Sequence, residues 1–263
     1  MINNQFVKNL GMKPFLSFFI NYYLLFSEIL DTCKSIHYSS YSCIFILRYA
    51  IMKNNEDYVI TNELMDVNTI FLDAYGTLLT PSTLKVRKVL EDFSVDKQKE
   101  IYNLLKKAQD FDDVLEIIPF LSKQKKEQFI ANVEKDLGNI KPYDETLSIL
   151  DYLKDKYTVI VDSNLIPPYD QPIQENFWGI VDDMVLSFQE IFKKWEKEHY
   201  KMLKKRFWKD WSEILFVGDN YKNDYELPKR SWMNALHLQR DGKTHVESVE
   251  TLEELLNLLK LAK

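Results

Sequence analysis

Five short stretches of the chain bring side chains able to do chemistry to the ends of apolar runs. They are Asp73-Ala74-Tyr75-Gly76-Thr77, Ser163-Asn164, Lys193-Lys194, Gly218-Asp219 and Asp224. Carboxylates, hydroxyls and a lysine in this combination suit phosphoryl transfer to an aspartate. A carboxylate that attacks a phosphoryl group forms an acyl phosphate, and the negative charge then crowding the pocket calls for a divalent cation, a fixed positive charge and a hydrogen-bond donor. Asp219 offers a second carboxylate for magnesium, Lys194 or its neighbour Lys193 the fixed charge, and Ser163 the donor. Magnesium retains several waters and takes few protein carboxylates, so two carboxylates and a backbone carbonyl form a reasonable ligand set.

The elements that must position these residues are legible in the apolar pattern. Residues 67–72 (VNTIFL) form a short apolar run that stops at Asp73 and is followed by Gly76. Such a run bounded by a turn signal predicts a buried parallel strand. The form recurs at 157–161, 184–186, 214–217 and 235–238, each ending at a polar residue or glycine. Between the runs, 143–156, 194–207 and 249–259 carry apolar residues at helical spacing. Alternating strands and helices predict an α/β fold: a doubly wound parallel sheet with its site beyond the carboxyl ends of the strands. Residues 81–140 break the alternation and read as helices at 84–93, 97–108, 112–121 and 124–137. They predict a small helical cap inserted after the first strand, leaving 52–80 and 141–263 as the core. Within the cap, Phe93, Tyr102, Phe111 and Phe120 read as its own apolar interior.

The chain has 263 residues and a formal net charge of −6, which argues against a nucleic-acid-binding surface of the usual basic kind. Lysines between 201 and 209 read as the solvated face of a helix. Cys33 and Cys43 are too few for a disulfide framework or a zinc site and fit reduced thiols in a cytoplasmic protein. Residues 1–51 are apolar and aromatic in two blocks, 14–29 and 41–52. Asn21 and Glu28 interrupt the first block before membrane-spanning length is reached, and no small-residue cleavage site follows it. We read this segment as an N-terminal extension and Met52 as the start of the folded domain. A membrane is not expected for the core.

These motifs, in this order, resemble those of the haloacid dehalogenase superfamily, in its form with a helical cap. The resemblance runs from residue 67 to about 261. The first motif matches at Asp73, Gly76 and Thr77, the second at Ser163 and Asn164, and the fourth at Gly218-Asp219 with Asp224 five residues on. The third, a lysine followed by proline, is matched at Lys194 by its distance from Ser187, with Trp195 in place of the proline. The resemblance implies that Asp73 is the nucleophile and that Thr77 and Ser163 contact the phosphoryl oxygens. It implies that Asp73, the Tyr75 carbonyl and Asp219 bind Mg2+, with Asp224 as a further ligand or a support for Lys194. A small phosphorylated metabolite would be the substrate. Asp162, beside Ser163, should point to the other side of the strand and reads as a surface or helix-capping residue.

Position 75 departs from the phosphatase pattern. Phosphatases of this superfamily place aspartate two residues after the nucleophile, where it protonates the leaving group and then activates water. Such acid–base help is worth ~10² to 10⁴ in rate, and Tyr75 is a poor base at neutral pH. Three functions follow as expectations. The first is a phosphatase acting on leaving groups that need no protonation. The second is a 2-haloacid dehalogenase, whose first motif shares the spelling Asp-Ala-Tyr-Gly-Thr, although those enzymes need no metal and usually carry serine where Asp219 stands. Their cap also places an arginine near the substrate, whereas Arg87 is the one arginine of residues 81–140 and its surroundings differ. The third is a non-catalytic scaffold.

Overall fold

The protein is described from a computed structural model over residues 64–84, 89–105, 107–120, 122–242 and 248–262. The extension at 1–51, the start at Met52 and Arg87 lie outside these residues. No helix among the described residues is long and apolar enough to cross a membrane.

Six parallel strands form one sheet: β1 (Thr69–Leu72), β2 (Thr158–Ser163), β3 (Asp183–Leu186), β4 (Ile214–Gly218), β5 (Asn234–Leu238) and β6 (Ser248–Val249). Their order is β3-β2-β1-β4-β5-β6. β1 is central, pairing Leu72 with Val161 of β2 on one side and with Val217 of β4 on the other. The chain therefore winds outward in one direction through β2 and β3 and in the other through β4 to β6. The crevice at the carboxyl ends of β1 and β4 is the switch point at which such sheets bind ligands.

The doubly wound sheet expected from the sequence is present. Alternation along the strands explains its two apolar layers. Ile70, Leu72, Val159, Val161, Leu215 and Val217 face one side, where α4 (Thr146–Lys154), α5 (Gln171–Phe177) and α8 (Leu252–Leu261) supply Leu150, Phe177 and Leu255. Phe71, Ile160 and Phe216 face the other, against Tyr200 and Leu203 of α6 (Lys197–Phe207). Phe71 and Phe216 stack with centroids 4.8 Å apart.

Some boundaries differ from the expectation. The first strand starts at Thr69, because Val67 turns back to hydrogen-bond the Leu64 carbonyl. The helix expected at residue 194 starts at Lys197, after an extended Glu196, so both candidate lysines sit in a loop. The short edge strand β6, helix α5, the π-helical turn Tyr221–Glu226 and the single turn α7 (Leu227–Arg230) carry too few residues for periodicity to reveal them.

Between β1 and α4 lie α1 (Val95–Leu105), α2 (Phe111–Ile117) and α3 (Lys123–Asn139). Side chains of Asp110 and Ser122 cap α2 and α3. Ile101, Leu105, Val114, Phe129 and Val133 form an apolar centre separate from the sheet's, with Phe93, Phe111 and Phe120 against it. Tyr102 is instead exposed, because it lies on the outer face of α1.

Candidate active site

At the switch point Asp73 follows β1, Asp219 follows β4, and Asp224 lies in the turn after it. One carboxylate oxygen from each comes within 4.8 Å of the others, the one such cluster among the described residues. Two glycines make this approach possible. A Cβ on Gly76 would lie 2.2 Å from Asp219 Oδ2, and φ at Gly76 is +84°, a conformation that side chains disfavour. A Cβ on Gly218 would lie 2.4 Å from Asp224 Oδ2. Both glycines thus vacate space that a carboxylate occupies.

Lys194 joins the cluster. Its Nζ lies 2.6 Å from Asp73 Oδ1 and 2.7 Å from Asp224 Oδ1, and it donates to the Asp162 carbonyl at 2.7 Å. Lys193 points elsewhere and donates to the carbonyls of Ser187 and Glu190. Burial alone would lower the Lys194 ammonium, but the Asp224 and Asp73 carboxylates outweigh it and hold the group charged, well above the ordinary lysine range. Burial pushes the Asp73 carboxyl up to about 8, Lys194 opposing and Asp224 reinforcing. Asp219 is raised in the same direction by partial burial and by Asp224. Carboxyls held this close are primed to exchange protons for a cation.

The surrounding contacts fix the two loops. Arg240 donates to the carbonyls of Gly76 at 3.3 Å and Thr77 at 2.7 Å, pairs with Glu145 at 2.7 Å, and lies 3.6 Å over the Tyr143 ring. His237 Nε2 lies 2.9 Å from the Asp219 carbonyl. Asn220 N donates to Asp224 Oδ2 at 3.0 Å. The Tyr200 hydroxyl lies 2.6 Å from the Lys194 carbonyl and 2.5 Å from that of Asn223, tying the lysine loop to the turn that bears Asp224. Asn164 Oδ1 accepts from Lys194 N at 3.2 Å. Ser163 ends β2 and is buried. Thr77 Oγ1 is buried with no hydrogen-bond partner, an arrangement that favours an oxygen-rich ligand.

Tyr75 takes no part in the charged cluster with its side chain. Its hydroxyl donates to the Tyr169 carbonyl at 2.5 Å, and its ring meets Tyr169 edge-on at 6.1 Å. Burial and the neighbouring acidic groups push the phenol far above its usual range. Tyr169 in turn donates to Asp136 of α3 at 3.0 Å. Asp136 also accepts from Ser82 Oγ at 2.6 Å and from Thr83 N at 2.9 Å. A chain of hydrogen bonds therefore runs from the Asp73 loop to the Asp136 carboxylate of α3.

Asp162 is neither a surface nor a capping residue. It is buried, and its Oδ2 lies 2.9 Å from His199 Nε2. Alternation does turn it away from Ser163, but the side it faces is covered by α6. Sequence reading missed His199, His237, Arg240 and Tyr169. Each acts on a backbone carbonyl or a distant side chain, which leaves no spacing signal.

Solved structures with this architecture complete the picture. A HAD phosphatase from Thermococcus onnurineus superposes with TM-score 0.54 at 19% identity, over 73% of this chain and 98% of that one. The chain has the haloacid dehalogenase fold. A 2-haloacid dehalogenase from Pseudomonas syringae with the same fold superposes with TM-score 0.55 at 15% identity, over 75% and 100%. The magnesium-bound YfnB of Bacillus subtilis gives 0.52 at 15%, over 73% and 98%. No protein-family model and no curated protein matches the chain. Proteins sharing this fold thus include both a phosphatase and a dehalogenase, so the fold alone does not choose between the two chemistries.

Proposed function

We propose that this protein is a magnesium-dependent phosphoryl-transfer hydrolase acting on a small phosphorylated metabolite through an aspartyl phosphate on Asp73. The carrying observation is the carboxylate cluster of Asp73, Asp219 and Asp224, made possible by Gly76 and Gly218. Its all-oxygen donor set suits a hard divalent cation. Asp73, Asp219, Asp224 and the Tyr75 carbonyl would hold Mg2+, which when bound would neutralise phosphoryl charge.

Asp73 attacks phosphorus in line with the leaving oxygen, and the P–O bond to the leaving group breaks as the new one forms. Lys194 orients Asp73 and offsets the charge on the transferred group. Thr77 Oγ1 and Ser163 donate to its oxygens, with Asn164 steadying the lysine loop. Water then attacks the aspartyl phosphate, giving inorganic phosphate and restoring Asp73. Because the Tyr75 hydroxyl is committed to the Tyr169 carbonyl, it does not stand ready to protonate the leaving group. The reading therefore favours substrates whose leaving groups depart unprotonated, such as acyl or aryl phosphates.

The Asp-Ala-Tyr-Gly-Thr spelling favours one second reading, a 2-haloacid dehalogenase. Asp219 counts against it, since a halide-displacing site has no use for a third carboxylate. A phosphate-substrate panel with and without magnesium, with Asp73→Asn as blank, separates the readings. Magnesium-dependent phosphate release lost in the variant is expected. Chloride release from a 2-chloro acid without metal would replace the proposal with the dehalogenase, and no turnover of either kind would favour a scaffold.

A further inference from the structure

The lysine of this site stands in a loop. Asn164 and Tyr200 meet its backbone, but α6 begins three residues after it, at Lys197, so no helix turn holds it, and Trp195, 40% exposed, occupies the next position. The loop also carries Ile191, 85% exposed. Yet the ammonium must meet Asp73, Asp224 and the Asp162 carbonyl together. A long flexible side chain on a loop outside any helix would lose much of that geometry to entropy without further contacts to hold the loop.

We propose that Asp162 and His199 are positioning residues that clamp the lysine loop and so aim Lys194 at Asp73. This rests on the phosphoryl-transfer reading of the site. His199 projects from the first turn of α6 and bridges two anchor points. Its Nε2 lies 2.9 Å from Asp162 Oδ2, and its Nδ1 lies 3.3 Å from the carbonyl of Phe192, two residues before Lys194. Asp162 closes the ring, because its own backbone carbonyl receives the Lys194 ammonium. The ring of contacts thus joins the end of β2, the start of α6, the lysine loop and the lysine tip. Both side chains of the pair are almost wholly buried, at 1% and 2% exposure. Burying a carboxylate is expensive unless it is well paired, and an apolar pair at this position would fill the space without holding Phe192.

The pair touches neither Asp73 nor the carboxylate cluster, so its effect must pass through the lysine. Near-isosteric variants test this in the full chain. Asp162→Asn keeps an acceptor for His199, and His199→Phe keeps the ring that packs edge-on against Tyr200 at 5.4 Å while deleting both hydrogen bonds. Two readouts are taken on protein with native circular dichroism. The first is labelling of Lys194 by an amine-reactive reagent, mapped by peptide mass. Lys194 should be protected in the wild type and in Asp162→Asn, and should become labelled in His199→Phe. The second is kcat on an aryl phosphate, expected to fall by about ten- to a hundredfold in His199→Phe, to be largely retained in Asp162→Asn, and to fall no further when His199→Phe is added to Lys194→Met. Lys194 staying protected in folded His199→Phe would overturn the proposal, as would equal kcat losses on wild-type and Lys194→Met backgrounds. If the wild type turns over no phosphate, the function fails, and the labelling arm alone still decides whether the pair holds the lysine.

Discussion

The loop after β1 has two flanks of opposite character. On one flank Asp73 meets Lys194, Asp219 and Asp224, a charged set whose carboxyls are pushed upward by burial and mutual repulsion. On the other, Tyr75 donates its one hydrogen bond to a backbone carbonyl, and Tyr169 and Asp136 carry the contact on into α3. The first flank is a carboxylate cluster with one ammonium, a set that could hold a cation. The second is satisfied internally. Burial alone would raise the Asp136 carboxyl, but hydrogen bonds from Ser82 and Thr83 outweigh it and hold it below its usual range. On the proposed phosphoryl-transfer reading, a site built this way would act on phosphorus and leave the leaving group to its own chemistry.

The sharpest way to break this contrast is to remove the nucleophile. Asp73→Asn should abolish turnover of an aryl phosphate, measured as release of the coloured phenol against a no-protein blank. Next in size, Gly76→Ala should weaken magnesium binding by at least about tenfold, or ~1.4 kcal/mol, because its Cβ collides with Asp219 and its backbone is strained. Calorimetric titration with magnesium checks it, and unchanged affinity would remove Asp219 from the site.

Acidity separates the flanks more gently. The folded pKa of Asp73 is raised, so the folded, metal-free protein binds the extra proton and loses that stability as pH climbs from the ordinary carboxylate range through about 8. Magnesium requires the ionised carboxylates. Its stabilisation, about 2.7 kcal/mol at a hundredfold excess over Kd, should therefore be fuller at pH 8 than at pH 5. Melting curves with and without magnesium at the two pH values report it, and equal shifts would contradict the assignment. The smallest effect belongs to Tyr75→Phe. It should cost about 1 kcal/mol of stability, the net worth of one hydrogen bond, and leave the shape of the pH–rate profile intact. Loss of a limb of that profile would make the phenol an acid–base group after all.

The two flanks were also unequally legible in the sequence. Asp73, Ser163 and Asp219 each end or follow an apolar run, so strand periodicity places them at one rim of the sheet. Its distance from Ser187 favours Lys194 over Lys193, but adjacent loop residues share every other local signal, and the opposite directions of the two side chains are visible only in three dimensions. The Tyr75–Tyr169–Asp136 chain spans residues far apart, with one link through a backbone carbonyl that carries no side-chain identity. Asp162 misled for a related reason. Alternation gives the direction of a side chain but not what packs on that side, and His199 is 37 positions away.

On the proposed mechanism Asp73 becomes phosphorylated. Acid-quenching the protein during turnover of an aryl phosphate with magnesium, followed by peptide mass mapping, tests it most directly. The account predicts one added phosphoryl group on the peptide containing Asp73, absent without magnesium and absent in Asp73→Asn. Sustained phosphate release with the phosphoryl group on another residue, or on none in a quench fast enough to resolve one turnover, would contradict it.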